Sequence, residues 1–96
     1  MYARLFQFNL GPGQQEFGEG RADIFAPVIS ALQGHISTTF MADHASGEVS
    51  TITVWETRAD AEAAGEELAP WLKQALGDKV LEPSTLKIFE IYEPKA

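Results

Sequence analysis

Apolar and polar positions along the chain switch between two periods, and the switches divide it into successive elements. Residues 2–10 carry aromatic and aliphatic side chains at most positions and stop at Gly11-Pro12-Gly13, a strong turn signal, which predicts a first strand. Residues 14–33 change to helical spacing, with Ile24, Phe25, Val28, Ile29 and Leu32 on one stripe that Phe17 extends. Gly18 and Gly20 weaken the first turns of this helix, Pro27 is expected to kink or restart it, and Gly34 is placed to cap its end. Residues 35–43 read as a strand containing Ile36, Thr38, Thr39 and Phe40. Residues 48–56 are the clearest strand: Val49, Thr51, Thr53 and Trp55 alternate with Ser50, Ile52, Val54 and Glu56, and β-branched types dominate. The polar turn Asp43-His44-Ala45-Ser46-Gly47 between them predicts a hairpin. Thr57-Arg58-Ala59-Asp60 has capping-box spacing with Asp in place of the usual Glu, and opens a second helix. Its stripe is Ala61, Ala64, Leu68, Trp71, Leu72, Ala75 and Leu76; Pro70 is expected to split it, and Gly77-Asp78 to end it. A last strand is expected within residues 79–93, centred on 86–92, with Pro83 and Ser84 interrupting its approach and Pro94-Lys95-Ala96 as a tail.

The order strand, helix, strand, strand, helix, strand is the split βαβ arrangement of a ferredoxin-like α+β domain, βαββαβ. Right-handed crossovers then predict a four-stranded antiparallel sheet, first and third strands central, with two helices on one face. The opposite face is not polar enough to stand in water. The first strand places Tyr2, Arg4, Phe6 and Phe8 on one side and Ala3, Leu5, Gln7 and Asn9 on the other; the third places Val49 and Trp55 opposite Ile52 and Val54. One helix layer covers one face, so a second copy packing sheet to sheet is expected to cover the other, making a homodimer. The alternative is a monomer with an untidy apolar surface.

Composition narrows the partners. The chain has 96 residues, enough for a single domain over 1–96, and its 45% apolar and 22% charged content suits a globular protein. Lys and Arg number 7 against 14 Asp and Glu, a net charge of −7 with no basic run, which argues against nucleic acid and anionic membranes. There are no cysteines, so disulfides, thiolate nucleophiles and Cys-based zinc sites are excluded. The start Met1-Tyr2-Ala3-Arg4-Leu5-Phe6 does not read as a signal peptide, and no segment approaches the ~18 apolar residues of a membrane span. The expected location is cytoplasmic. Gly11-Pro12-Gly13 lacks the lysine and glycine spacing of a phosphate loop, and no Ser-His-Asp order or paired carboxylates stand out.

The residues Leu32-Gln33-Gly34-His35, Asp43 to Gly47, Thr51-Ile52-Thr53-Val54-Trp55-Glu56-Thr57 and Ile88-Phe89-Glu90-Ile91-Tyr92-Glu93-Pro94 resemble the antibiotic-biosynthesis-monooxygenase type of dimeric α/β barrel over nearly the whole chain. The tryptophan-plus-acid step before the second helix is the best single marker. The resemblance implies sheets packed face to face in a dimer and a cavity between sheet and helices in each subunit. It also implies activities that range from cofactor-independent oxygenation of aromatic polyketides to heme degradation. The heme-degrading branch uses an Asn on the first strand and a Trp and a His on the second helix. Asn9 is present, but aligning on Trp55 puts Ala64 and Gln74 at the other positions, and no His follows His44, so that branch is rejected.

The candidate site residues each have a plainer role. His35 has the pKa range for taking a proton from a phenol, and is otherwise a solvated residue at a strand edge. His44 reads as a surface turn residue, and two histidines without carboxylates at ligand spacing make no metal site. Trp55 is either a stacking, N–H-donating ligand contact or a core ring, with Thr51 and Thr53 on its strand face as hydroxyl donors. Arg4 either holds a substrate oxyanion or, the favoured reading, pairs with a carboxylate such as Glu90. Asn9 and Phe6 complete the first-strand candidates, and Tyr92 is expected at a ligand or at the dimer interface. The leading expectation is a small monooxygenase that binds an electron-rich aromatic and uses no cofactor. A non-catalytic dimer binding a small apolar molecule, and a structural dimer without a ligand, are the alternatives. A cavity of a few hundred Å³ with converging polar groups separates the first two from the third.

Overall fold

The computed structural model describes residues 1–81 and 84–95, so the expectations placed on Pro83 and Ala96 lie outside the described residues. The elements are β1 (Tyr2–Asn9), α1 (Gln15–Ser30), β2 (His35–Asp43), β3 (Glu48–Trp55), α2 (Arg58–Leu76), a short 3-10 turn (Gly77–Lys79) and β4 (Thr85–Glu90). The sheet order is β2-β3-β1-β4 with every pairing antiparallel, so the first and third strands are central as the crossover rule requires.

Register decides which face each side chain occupies. Tyr2, Arg4, Phe6 and Phe8 stand opposite Trp55, Thr53, Thr51 and Val49, so these share one face, with Ile88 opposite Arg4 from the other side. Both helices lie on this inner face. Phe25 and Ile29 of α1 and Ala61, Ala64 and Leu68 of α2 close around Trp55, which is 0% exposed. The two alanines are small enough to bring α2 down onto the indole, and Val28, Leu32, Leu72, Ala75 and Ile88 pack around that cluster. The outer face carries Leu5, Ile52 and Val54, only half-buried, beside Phe89 at 50% and Met41 at 42% exposure.

Several local expectations are corrected. Neither proline interrupts its helix: α1 runs through Pro27 and α2 through Pro70. Both rings sit on exposed positions, so the carbonyls they leave unpaired face water rather than the core. Gly34 does not cap α1, whose last residue is Ser30 and whose C-cap is Ala31; it turns the chain into β2 at φ 81, with its Cα pressed against the Asp60 carboxyl where a side chain would not fit. β2 holds a bulge between His35 and Ser37 that leaves Ile36 exposed. β4 starts at Thr85 and ends at Glu90, two residues short of Tyr92. The expected cap at Thr57 is present: its hydroxyl accepts from the Asp60 N–H at 3.1 Å. No helix among the described residues is long and apolar enough to cross a membrane.

Candidate functional site

A cavity of about 220 Å³ lies between the inner sheet face and the helices. The central strands form its floor, through Arg4, Phe6 and Phe8 of β1 and Val49, Thr51 and Thr53 of β3. Phe25 and Ile29 of α1 and Leu68, Leu72 and Leu76 of α2 wall it, and Phe40 of β2 closes one side. Its rim is the hairpin turn, through Asp43, His44 and Gly47, together with Gly11 and the first turns of α1. That rim is held in place by the backbone. Leu10 N–H donates to Gly47 O at 2.9 Å, and Gly47, at φ 84, lies directly against the Gly11 backbone. No side chain fits at that approach, which is why glycine stands there.

Arg4 is the chemical anomaly of this apolar space. It is 6% exposed, and its Nε is buried without a hydrogen-bond partner. The expected pair with Glu90 is absent. The register puts Ile88 opposite Arg4 and Glu90 opposite Tyr2, where Glu90 is exposed, and the one ion pair among the described residues is Arg58 with Glu62. The guanidinium instead packs against Gly65 of α2: a Cβ there would lie 3.3 Å from Nε and 3.4 Å from Nη2. The Phe6 ring centroid is 5.9 Å from Cζ, at the outer limit of a cation–π contact. Burial pushes the Arg4 pKa down, yet a guanidinium stays charged through the physiological range. A second arginine, Arg21 of α1, also lines the cavity with a buried, unpartnered Nε, its Cζ 4.8 Å over the Phe17 ring.

Of the residues singled out in the sequence, the cavity gathers Arg4, Phe6, Thr51 and Thr53. The other four lie outside it. Trp55 is a core ring whose Nε1–H donates to Thr53 Oγ1 at 2.8 Å. Asn9 faces the outer side and its Oδ1 accepts from the Gly11 N–H at 2.7 Å, shaping the turn after β1. His35 packs edge-on against Trp55 and shares a 2.6 Å hydrogen bond with Thr38 Oγ1. Tyr92 is 79% exposed beyond the end of β4. His44, read as a surface residue, is exposed and also borders the cavity. Phe8 and Phe25 were missed as lining residues although each shares its element's inward phase with residues already identified. Among the described residues, no group of three His, Cys, Asp or Glu side chains converges as metal ligands.

No protein-family model matches the sequence, and no curated protein sequence matches it. Solved structures do match in shape. A Nitrosomonas europaea chain provisionally described as an antibiotic biosynthesis monooxygenase superposes with a TM-score of 0.80 at 16% identity, covering 99% of this chain and 93% of that one. The monooxygenase ActVA-Orf6 of Streptomyces coelicolor, solved with nanaomycin D, gives 0.77 at 17% identity, with 99% and 90% covered. SnoaB, a cofactor-independent oxygenase from Streptomyces nogalater, gives 0.72 at 17% identity, with 97% and 94% covered. Identity this low establishes common architecture and leaves the reaction to be argued from this chain's own cavity. The chain has the ferredoxin-like fold of the antibiotic biosynthesis monooxygenase structures.

Proposed function

We propose that the chain is a small cytoplasmic monooxygenase, working as a homodimer without a metal or organic cofactor on an electron-rich aromatic compound. The observation that carries this reading is the cavity: phenylalanine and leucine walls of a size to enclose a small fused ring system, with one buried guanidinium on the floor, in an architecture shared with solved oxygenases. In such a site the substrate reacts as its phenolate, whose ring-hydroxyl proton has gone to solvent, and the positive charge of Arg4 favours that anion over the neutral phenol. The anion gives one electron to dioxygen. The radical pair joins at an unsubstituted ring carbon, the peroxide anion takes a proton back from solvent, and the resulting hydroperoxide loses water to leave a quinone. One oxygen atom enters the product and the other leaves as water, and all the electrons come from the substrate. The walls exclude bulk water from the intermediate.

Support for the homodimer comes from the outer sheet face, where Leu5, Ile52, Val54 and Phe89 form an apolar surface that no element among the described residues covers. Light scattering at micromolar concentration is expected to give twice the 10.5 kDa chain mass, and a monomer would refute it. Activity is tested by incubating the protein with phenols and hydroquinones of one to three rings and following oxygen uptake and quinone absorbance. Uptake above the buffer rate that is reduced in Arg4→Met supports the enzyme. One observation favours the non-catalytic alternative: neither histidine lies inside the cavity, since His35 is outside it and His44 is at the rim. Binding of the same compounds without oxygen uptake would select that reading.

A further inference from the structure

We propose that the cavity accepts its aromatic ligands as preformed monoanions, gripped by the Arg4 guanidinium, and that Gly65 is the residue that positions this grip. The inference rests on the aromatic cavity and adds the charge state in which the ligand arrives. A buried charge without a partner is among the least favourable arrangements in a folded protein, and it persists where something else compensates it. Arg4 is such a charge: 6% exposed, with Nε unpartnered and, among the described residues, no carboxylate paired with it. Its position on the central strand, on a floor whose other side chains are phenylalanine, valine and threonine, points to a counter-ion that is also part of a largely apolar molecule.

The cavity's own carboxylates do not serve. Glu19 accepts from Gln15 Nε2 at 3.1 Å, and Asp43 accepts from the Ala45 N–H at 3.1 Å; both are exposed positions at the mouth. A net charge of −7 on the chain gives no general attraction for anions, so selection for them must come from a cation in the cavity lining: Arg21 carries its guanidinium 4.8 Å over the Phe17 ring of its own helix, whereas Arg4 stands on the floor. A guanidinium offers paired N–H donors in one plane, which suits the two oxygens of a carboxylate or the oxygen of an acidic phenolate. A ligand already ionised at neutral pH binds without first losing a proton, whereas an ordinary phenol must be deprotonated on binding.

Gly65 is the second observation. A glycine in the interior of α2 weakens the helix, and here the space it leaves is occupied by the guanidinium: a Cβ would stand 3.3 Å from Nε and 3.4 Å from Nη2. An alanine there forces the guanidinium to shift by a few tenths of an ångström, enough to degrade a planar two-bond contact.

The test is calorimetric titration of the whole protein at neutral pH with two matched pairs. Naphthoate against naphthamide tests a carboxylate, and picrate against its methyl ether tests an acidic phenolate. The expected result is a preference of about tenfold or more for an anion over its neutral partner, the worth of a charge-assisted hydrogen bond. The pair that shows it identifies the oxyanion type. The preference should vanish in Arg4→Met and shrink in Gly65→Ala, with the anions losing more affinity than their neutral partners. Ligand-free Arg4→Met should melt at a higher temperature than the unaltered protein, because it loses an uncompensated charge; a purely structural arginine would make it melt lower. If Arg4→Met does not fold, Gly65→Ala carries the comparison. Equal affinity for anion and neutral partner overturns the inference and leaves the aromatic cavity standing, as does a preference that survives in Arg4→Met. No binding of any of the four compounds overturns both.

Discussion

Replacing Thr53 by valine probes the polar contact that joins the core to the cavity floor. Thr53 is 1% exposed and Trp55 0%, and the indole Nε1–H donates to Thr53 Oγ1 at 2.8 Å. Valine keeps the β-branched shape and strand preference but removes the acceptor. A buried N–H left without a partner costs about 1–3 kcal/mol. The methyl that replaces the hydroxyl recovers up to about 0.8 kcal/mol of apolar burial. The second bond of that hydroxyl, to Arg4 O, is 3.5 Å long and contributes little. The net loss expected is therefore about 1–2 kcal/mol, or a fall of roughly 1 M in the urea midpoint for a slope near 1.5 kcal/mol/M. Urea unfolding followed by circular dichroism, at one fixed protein concentration, measures it. Adding Trp55→Phe removes the donor as well, and the double-mutant cycle should give a coupling of about 1 kcal/mol between the two sites. A midpoint for Thr53→Val within error of the unaltered protein, with no coupling, would refute the reasoning and mean that cavity water reaches the indole.

Three further outcomes follow from the geometry. Gly47→Ala places a Cβ against the Gly11 backbone at a φ of 84, so it should destabilise the fold by about 2 kcal/mol or more and open the cavity rim, read from its melting temperature. Phe89→Lys puts a charge on the outer face at a side chain 50% exposed in the single chain; it should split the proposed homodimer, giving the mass of one chain, while the secondary structure is retained in circular dichroism. Burial lowers the Arg4 pKa, so the folded chain binds fewer protons than the unfolded one only in the strongly alkaline range, where stability should rise with pH. Near neutrality Arg4 is charged in both states, and the stability difference between the unaltered protein and Arg4→Met should stay constant between about pH 6 and 8 in urea titrations.

The periodicities carried the fold because each strand and helix had a phase that only one packing satisfies. Trp55, Thr53 and Thr51 could be assigned to one strand face from their spacing alone, and the register confirms that they share it with Arg4 and Phe6. What spacing could not show was the direction of individual polar groups. Asn9 ends a strand at a turn, where its nearest donor is the backbone two residues ahead, and that local bond decides its role. His35 precedes a bulge that brings Thr38 within reach, and no linear pattern encodes the bulge. Pairing Arg4 with Glu90 required the last strand to be shifted along β1 by two residues relative to its actual register. Pro27 and Pro70 look like breaks in one dimension, but their rings occupy exposed positions, and tertiary packing on the buried side holds each helix together. His44 reaches the cavity because the hairpin turn docks on Gly11, a long-range contact that neither segment signals by itself.

The central place of β1 also has a consequence for how the chain is made. Tyr2 pairs with Trp55 on one side and Glu90 on the other, so β1, made ahead of the other three strands of its sheet, is the last to find both neighbours. The hairpin of β2 and β3 closes locally, whereas β1 must wait for partners distant in sequence, and topologies of that kind fold slowly. Through that wait the segment Leu5-Phe6-Gln7-Phe8 is an unpaired, aromatic strand with both edges open. Overexpression at high temperature should therefore divert nascent chains into aggregates seeded by this segment, and cooling the culture should favour the folded product.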